Sequence, residues 1–322
     1  MRQSSQMPHF AKINKAHNTV FRPDRLSLGL VVPLEGYPAG PVPTMARHLE
    51  RVKMAEDLGF AAVWLRDVPF NVPSFGDAGQ TFDPFVYLGL LAGQTTHIAL
   101  GVASIILPLR HPAHVAKAAA TVDVLSGGRL LLGVASGDRP EEYPAMNMSF
   151  EDRGDRFRDS FEYIRSMADD FPAFETAQGA SHGTMDMLPK PTGGTLPLLV
   201  TGGSRQHPDW VAQNSDGWIT YPRDAPSQAR AITEFRTRVA TQGGPDKPVM
   251  QSLYVDLVDD PDAPPRPIHL GFQSGVTYLR HYLEALQDAG VNHVALNLRL
   301  NSGDTETTLQ QLADDILPAF PT

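Results

Sequence analysis

Ile98-Ala-Leu-Gly-Val-Ala-Ser104, a helical stretch from His111 to Leu125, the stop Ser126-Gly127-Gly128, and Arg129-Leu-Leu-Leu-Gly-Val-Ala135 form the stretch that decides the fold. Two short runs, apolar on both faces, flank one helix. A continuous apolar run of this length reads as a strand covered from both sides, which is the environment of a parallel sheet. Pro112 in the first turn and the glycine pair after the last turn mark where the helix starts and stops. Strand, helix and strand in this order make a βαβ unit, whose two strands run parallel.

The same unit recurs outward in both directions. Strands are expected at about 26–33, 61–65, 98–104, 129–135, 196–201, 217–221, 249–258 and 293–298. Helices are expected at about 44–58, 85–95, 111–125, 152–170, 208–214, 226–242, 275–289 and 305–319. An unbroken α/β rhythm with eight strands favours a (β/α)8 TIM barrel over a doubly wound sheet. The doubly wound fold should carry G-x-G-x-x-G after its first strand, and that strand instead runs into Leu34-Glu35-Gly36-Tyr37-Pro38. Loop insertions are expected after strands 2 and 4. Val68–Pro84 and the irregular Pro172–Thr195 read as natural lids. Residues 25–322 form one barrel domain, and residues 1–24 read as an N-terminal arm that packs loosely or reaches a partner subunit.

Composition narrows the function. The 322 residues are 42% hydrophobic and 20% charged, with a net charge of −9. That is enough apolar material for a large core, and an acidic balance argues against a nucleic-acid binder. The absence of cysteine removes disulfides, thiolate nucleophiles and sulfur-based zinc sites. No apolar run is long enough to span a membrane and no targeting segment is evident, so a cytoplasmic enzyme is expected.

Barrel chemistry gathers at the C-terminal ends of the strands. There the sequence places Glu35, Arg66, Asp67, Ser104, Ser136, Gly137, Asp138, Arg139, Thr201, Gly202, Gly203, Ser204, Tyr221, Arg223, Asn297 and Arg299. Val200-Thr-Gly-Gly-Ser204 reads equally as an anion site ahead of a helix and as a tight turn that needs glycine. Gly133-Val-Ala-Ser-Gly137 puts its serine one place too late for a nucleophile elbow. Neither a P-loop nor H-E-x-x-H occurs. His111 and His114 read as structural, with His111 capping a helix, so no metal site is expected. Arg153, Arg156 and Arg158 share a helix with acidic neighbours and form a solvated face by default, from which one arginine turned inward would reach a phosphate. Arg66-Asp67 reads as an internal ion pair or a substrate-orienting pair.

Leu100 to Pro108, Arg110-His-Pro112, Val122-Asp-Val-Leu-Ser-Gly-Gly-Arg-Leu130 and Leu132 to Gly137 together resemble the bacterial luciferase-like flavin oxidoreductases. Val200–Ser204 and Asp216-Gly-Trp218 are similar to later elements of that family. The resemblance spans most of residues 26–318. It implies a luciferase-like barrel binding reduced flavin at its C-terminal mouth, with a non-proline cis peptide at Ala103–Ser104 beneath the flavin ring. Ser136 and Gly137 would lie along the ribityl chain or phosphate. Thr201, Gly202, Gly203 and Ser204 would hold the phosphate, helped by Arg156 or Arg139. Luciferase itself has arginine where Ser136 stands. The family's deazaflavin enzymes often have Asp-His where this chain has Asp67-Val68, which tilts the reading to FMN. Arg66, Asp67, Arg110 and Asp138 are the geometric candidates for catalysis. The expected activity is an FMN-dependent monooxygenase acting on a small organic molecule with oxygen, as a homodimer fed by a separate flavin reductase. The alternatives are a deazaflavin-dependent dehydrogenase and a non-catalytic flavin-binding barrel.

Overall fold

A computed structural model describes residues 9–321. Eight parallel strands close into a barrel: β1 (Ser27–Val31), β2 (Ala62–Leu65), β3 (Ala99–Ile106), β4 (Leu130–Ala135), β5 (Leu198–Thr201), β6 (Gly217–Thr220), β7 (Val249–Leu257) and β8 (His293–Asn297). Each strand pairs with the next in the chain, and β8 returns to β1 through Ser27↔His293 and Leu30↔Leu296. All eight expected strands are present. The helices that alternate with them are α2 (His48–Asp57), α3 (Pro84–Gln94), α4 (Pro112–Leu125), α6 (Arg153–Ser166), α7 (Pro208–Asn214), α8 (Ala225–Thr241), α9 (Val276–Asp288) and α10 (Thr305–Asp315). Helix α2 starts four residues later than expected. Met45 and Arg47 adopt positive φ, and Thr44 is drawn onto the Glu35 carboxylate through both its amide and its hydroxyl.

The twofold alternation of a strand sorts the core into two layers. Leu28, Leu30, Val63, Leu65, Leu100, Val102, Leu130, Leu132, Leu198 and Val200 point outward against the helices. Val31, Trp64, Ala99, Leu131, Leu199, Met250 and Ala295 point into the barrel. Gly101 makes room for one of them: a Cβ there would stand 2.3 Å from Trp64 Cε3. His293 is fully buried in the same interior. It accepts from Trp64 Nε1 at 2.8 Å and sits 2.7 Å from Ser27 Oγ.

The segment expected to be a loose arm is tightly packed wherever it is described beyond residue 12. Helix α1 (Lys15–Val20) closes the N-terminal end of the barrel, with Ala16, Val20 and Phe21 joining the interior layer. Asn14 fastens it by donating to Asp123 Oδ1 and Leu130 O, both at 2.8 Å. The amphipathic residues that read as an arm are the two faces of a plug, one buried and one wet.

The insertions also differ from expectation. Pro172–Thr195 cannot be a lid, because it connects the end of α6 to the start of β5 and therefore lies at the N-terminal end. It carries an antiparallel hairpin, Ala173–Thr176 with Gly179–His182, and Thr192 binds Asp123 beside the plug. The C-terminal insertion after β4 is instead the stretch containing the short helix α5 (Glu142–Ala145). A further insertion follows β7, where Arg266–Ile268 and Gly271–Ser274 form a hairpin whose second strand pairs in parallel with the C-terminal part of β7. Its proline-rich, exposed sequence has no apolar alternation to reveal it. Among the described residues no helix is long and apolar enough to cross a membrane.

Candidate functional site

The C-terminal ends of the strands surround a cavity of about 870 Å³, within the size range of small-molecule and cofactor sites. Its floor is made by inward side chains one layer above the plug: Val31, Trp64, Ala103, Ile219, Met250 and Ala295. The Ala103–Ser104 peptide is cis, as the resemblance implied. Ser104 Oγ and Thr201 Oγ1 are hydrogen-bonded to each other across the floor. Gly133 keeps this region open, since a Cβ there would lie 2.4 Å from Val102 O and 3.1 Å from Ser104 Oγ.

One wall is the loop after β5, rich in free backbone donors. Gly202, Ser204 and Arg205 all have positive φ, and Gln206 N donates back to Gly203 O at 2.7 Å. This stretch is a turn and not the start of the next helix, because α7 begins only at Pro208 and is capped by His207. Among the described residues the amides of Gly203, Ser204 and Arg205 have no acceptor. Trp218 Nε1 fixes the loop through Gly202 O at 3.0 Å. Asp216 in turn accepts from Leu198 N and Arg165 Nη2, which gives the Asp216-Gly-Trp218 element its structural task. Ser204 Oγ donates to Thr201 O, so its backbone amide, more than its hydroxyl, is the free donor.

Arg153, not Arg156, lines the cavity beside this loop. Its guanidinium stacks 3.5 Å from the Phe150 ring centroid and donates to Phe150 O, while its buried Nε has no partner. Arg205 also lines the cavity. Neither arginine has a carboxylate within salt-bridge distance among the described residues. Arg156 lies off the cavity, and its Nε is also buried without a partner. The sequence offered three arginines within one and a half turns, and packing selected the first.

The opposite wall is built by the loop after β2. Asp77 Oδ2 accepts from Arg66 Nη1 at 2.6 Å. Asp77 Oδ1 accepts from Gly79 N and Tyr37 Oη and lies 3.5 Å from Arg299 Nε. Burial works against the Asp77 carboxylate, but Arg66 beside it holds it below the usual carboxylate range. Arg139 belongs to this wall and not to the loop after β5: it donates to Asp77 O at 3.2 Å and lies 4.2 Å from the Phe75 ring centroid.

The catalytic candidates therefore separate. Arg66, Asp67 and Asp138 line the cavity, whereas Arg110 does not. Arg110 grips Asp67 with two bonds, 2.9 and 2.7 Å, and Ile106 N takes up the same carboxylate. Asp67 is an anchor for the strand ends, and with its side chain 1% exposed it is screened from a substrate proton. Ser136 and Gly137 line the cavity, with Ser136 O accepting from Tyr143 Oη. His111 caps α4 through Ala113 N and stays off the cavity. Phe75, Asp77, Glu142, Tyr254 and His269 join the lining without having been singled out. Phe75, Asp77 and His269 stand on irregular segments and Glu142 on a one-turn helix, where no periodicity marks them, while Tyr254 lies within β7 at a position that strand alternation alone does not mark as functional. Burial pushes the Tyr254 hydroxyl up, so it stays protonated.

The sequence profile described as luciferase-like monooxygenase matches residues 26–320. An uncharacterised protein of Mycobacterium tuberculosis is 34% identical over 188 residues, a match that spans 53% of this chain and 66%, just under two thirds, of that relative. The F420-dependent hydroxymycolic acid dehydrogenase of the same organism is 27% identical, over 61% of this chain and 54% of the relative. The oxygenase component of a flavin-dependent trigonelline monooxygenase from Acinetobacter baylyi is 31% identical, over 37% of this chain and 32% of the relative. Among solved structures, monooxygenase RslO1 of Streptomyces bottropensis superposes with a TM-score of 0.76 at 18% identity, covering 92% of this chain and 100% of that one. That likeness speaks to the fold alone.

Proposed function

The chain belongs to the luciferase-like monooxygenase family, and we propose that within it the protein is an FMN-dependent oxygenase that uses reduced flavin delivered by a separate reductase. One observation carries the cofactor assignment. Three acceptor-free amides and two arginines without carboxylate partners, Arg153 and Arg205, converge on one side of the cavity. Such a set of donors open to the cavity, with Arg153 Nε buried and unpartnered, suits an anion, and a phosphate monoester has the charge to match it. Gly203, Ser204 and Arg205 would cradle the phosphate, and Ala103, Ser104, Ser136 and Gly137 would line the rest of the cofactor. The reduced flavin supplies the electrons and the reactivity towards oxygen.

This chain's own contribution is orientation and the exclusion of water. The floor is apolar apart from the Ser104 and Thr201 hydroxyls, which are tied to each other. Phe75, carried by the loop between β2 and α3, stands at the cavity beneath the Arg139 guanidinium. FMN is favoured over the deazaflavin by the end of β2. Oxidising an alcohol by hydride transfer calls for a group that takes the hydroxyl proton. Here Asp67 is closed off by Arg110 and Ile106 N, and the next residue is Val68.

Titration of the purified apo-protein with oxidised FMN, reduced FMN and the reduced deazaflavin, the reduced forms under anaerobic conditions, tests the assignment. Preferential binding of reduced FMN, followed by its faster oxidation on mixing with oxygen, is the expected result. Preference for the deazaflavin would replace this reading with a dehydrogenase. Failure to bind any of the three would remove the cradle's role.

A further inference from the structure

The wall opposite the phosphate cradle has more positive charge than it neutralises. Arg66, Arg139 and Arg299 all line the cavity there. Their nearby carboxylates are Asp77 and Glu142, since Asp67 is consumed by Arg110. Asp138, next to Arg139 in the chain, is exposed and bonds to neither guanidinium. Arg66 and Arg299 share the Asp77 carboxylate, so Arg139 reaches only its backbone carbonyl.

Arg139 is the least satisfied of the three. Its side chain is 6% exposed, and its Nη1 has no hydrogen-bond partner. Glu142 Oε1 lies 3.8 Å away, beyond hydrogen-bond reach, and is itself buried without a partner. Burial pushes the Glu142 carboxyl up, which weakens it further as a counter-ion. Burial, and then the neighbouring positive charge of Arg66, hold the Arg139 guanidinium below its ordinary range. A largely buried guanidinium in a cavity wall, short of acceptors and repelled by a second guanidinium, is a place for an anion.

We propose that the substrate carries a carboxylate, which docks on the Arg66–Arg139 wall of the cavity. Two planar guanidinium groups suit a planar carboxylate. A neutral carbonyl would accept from Arg139 but leave the repulsion between the two cations in place. This assignment deepens the oxygenase reading and rests on it for the word substrate, but the anion site stands on its own contacts. The carboxylate would set which end of the molecule is held and which end is presented for oxidation.

The test uses the full-length apo-protein and three probe pairs, each an acid with its primary amide: acetate and acetamide, butyrate and butyramide, benzoate and benzamide. Binding is followed by calorimetry in the wild type and in Arg139→Gln, Arg66→Gln and Arg205→Gln, with circular dichroism and melting curves to confirm folding. At least one carboxylate should bind about tenfold or more tightly than its amide, the range expected for a hydrogen bond to a charged group. That preference should collapse in Arg139→Gln and Arg66→Gln and survive in Arg205→Gln. Arg139→Lys, which keeps the charge, should retain part of it if Arg139→Gln misfolds.

No saturable carboxylate binding at millimolar concentration, or no preference in any pair, overturns the proposal. So does a preference that follows Arg205 and not Arg139, because the acid would then be sitting in the phosphate cradle. A separate FMN titration keeps the two ideas apart. Carboxylate selectivity without flavin binding retains the anion site and removes the oxygenase reading. Flavin binding without carboxylate selectivity does the reverse.

Discussion

His293 should make a separable contribution to the loss of stability in acid, and its size follows from its surroundings. The ring is fully buried on β8, and burial pushes its pKa down to about 3 from an ordinary 6.5. Trp64 Nε1 donates to Nε2, and Ser27 Oγ donates onward to Val20 O. Nδ1 therefore carries the proton and gives it to Ser27 Oγ, which fixes a neutral tautomer. Between pH 6.5 and about 3 the unfolded chain binds a proton at this residue and the folded chain does not. Stability from this group is therefore intact above pH 6.5 and falls as the pH drops. At pH 4.5, two units below the unfolded value, the loss is about 3 kcal/mol at roughly 1.4 kcal/mol per unit. His293→Gln removes the titration while leaving an acceptor for Trp64. Guanidinium unfolding of both proteins at pH 7 and pH 4.5, followed by tryptophan fluorescence, isolates the effect. The loss on acidification should be about 3 kcal/mol smaller in the variant, whatever the variant's stability at pH 7. Equal losses in the two proteins would refute the buried neutral histidine as an acid-sensitive element.

Other perturbations reach the cavity and its supports. Arg153→Gln and Arg205→Gln should each weaken FMN binding by about tenfold or more, since each removes a charge-assisted contact from the cradle; unchanged titrations would place the phosphate elsewhere. Gly101→Ala forces a methyl group against Trp64 and should cost about 1–3 kcal/mol, with a shifted tryptophan emission. Asn14→Ala removes the two bonds that hold the plug to Asp123 and Leu130 and should lower stability by about 1–3 kcal/mol, whereas a loose arm would leave the melting temperature unchanged. Shortening the loop between Val68 and Asp83 should raise the share of oxygen consumed without product, measured as peroxide released per flavin oxidised, and shortening Pro172–Thr195 should not.

The barrel was legible because its strands are buried on both faces. Runs such as Leu130-Leu-Leu and Leu198-Leu-Val have no other home than between a packed interior and a ring of helices. The cis peptide was legible only through family resemblance, because it leaves no mark on hydrophobic periodicity. What stayed hidden depends on direction in space. Arg153, Arg156 and Arg158 differ by fractions of a turn, and only the packing of α6 against Arg205 and the loop after β5 selects among them. The placement of Pro172–Thr195 was in fact readable. A segment that follows a helix and precedes a strand must lie at the N-terminal end of a parallel barrel, far from the chemistry. Arg139 was assigned to the wrong wall because sequence gives its position after β4 but not the pull of Asp77, which lies 62 residues earlier.

The plug at the N-terminal end has a kinetic consequence. With α1, Phe21, Leu131 and Leu199 filling the barrel beneath the floor, the cavity is, among the described residues, a well that opens at the C-terminal ends of the strands. Whatever enters first is covered by whatever enters second, and nothing can leave from below. If the proposed flavin is seated against the floor, it would have to arrive before the molecule it oxidises, and the product would have to depart before spent flavin could be exchanged. Turnover in such a well is a strict sequence, last in and first out. An excess of the second ligand that enters too early should then stall the enzyme instead of hurrying it.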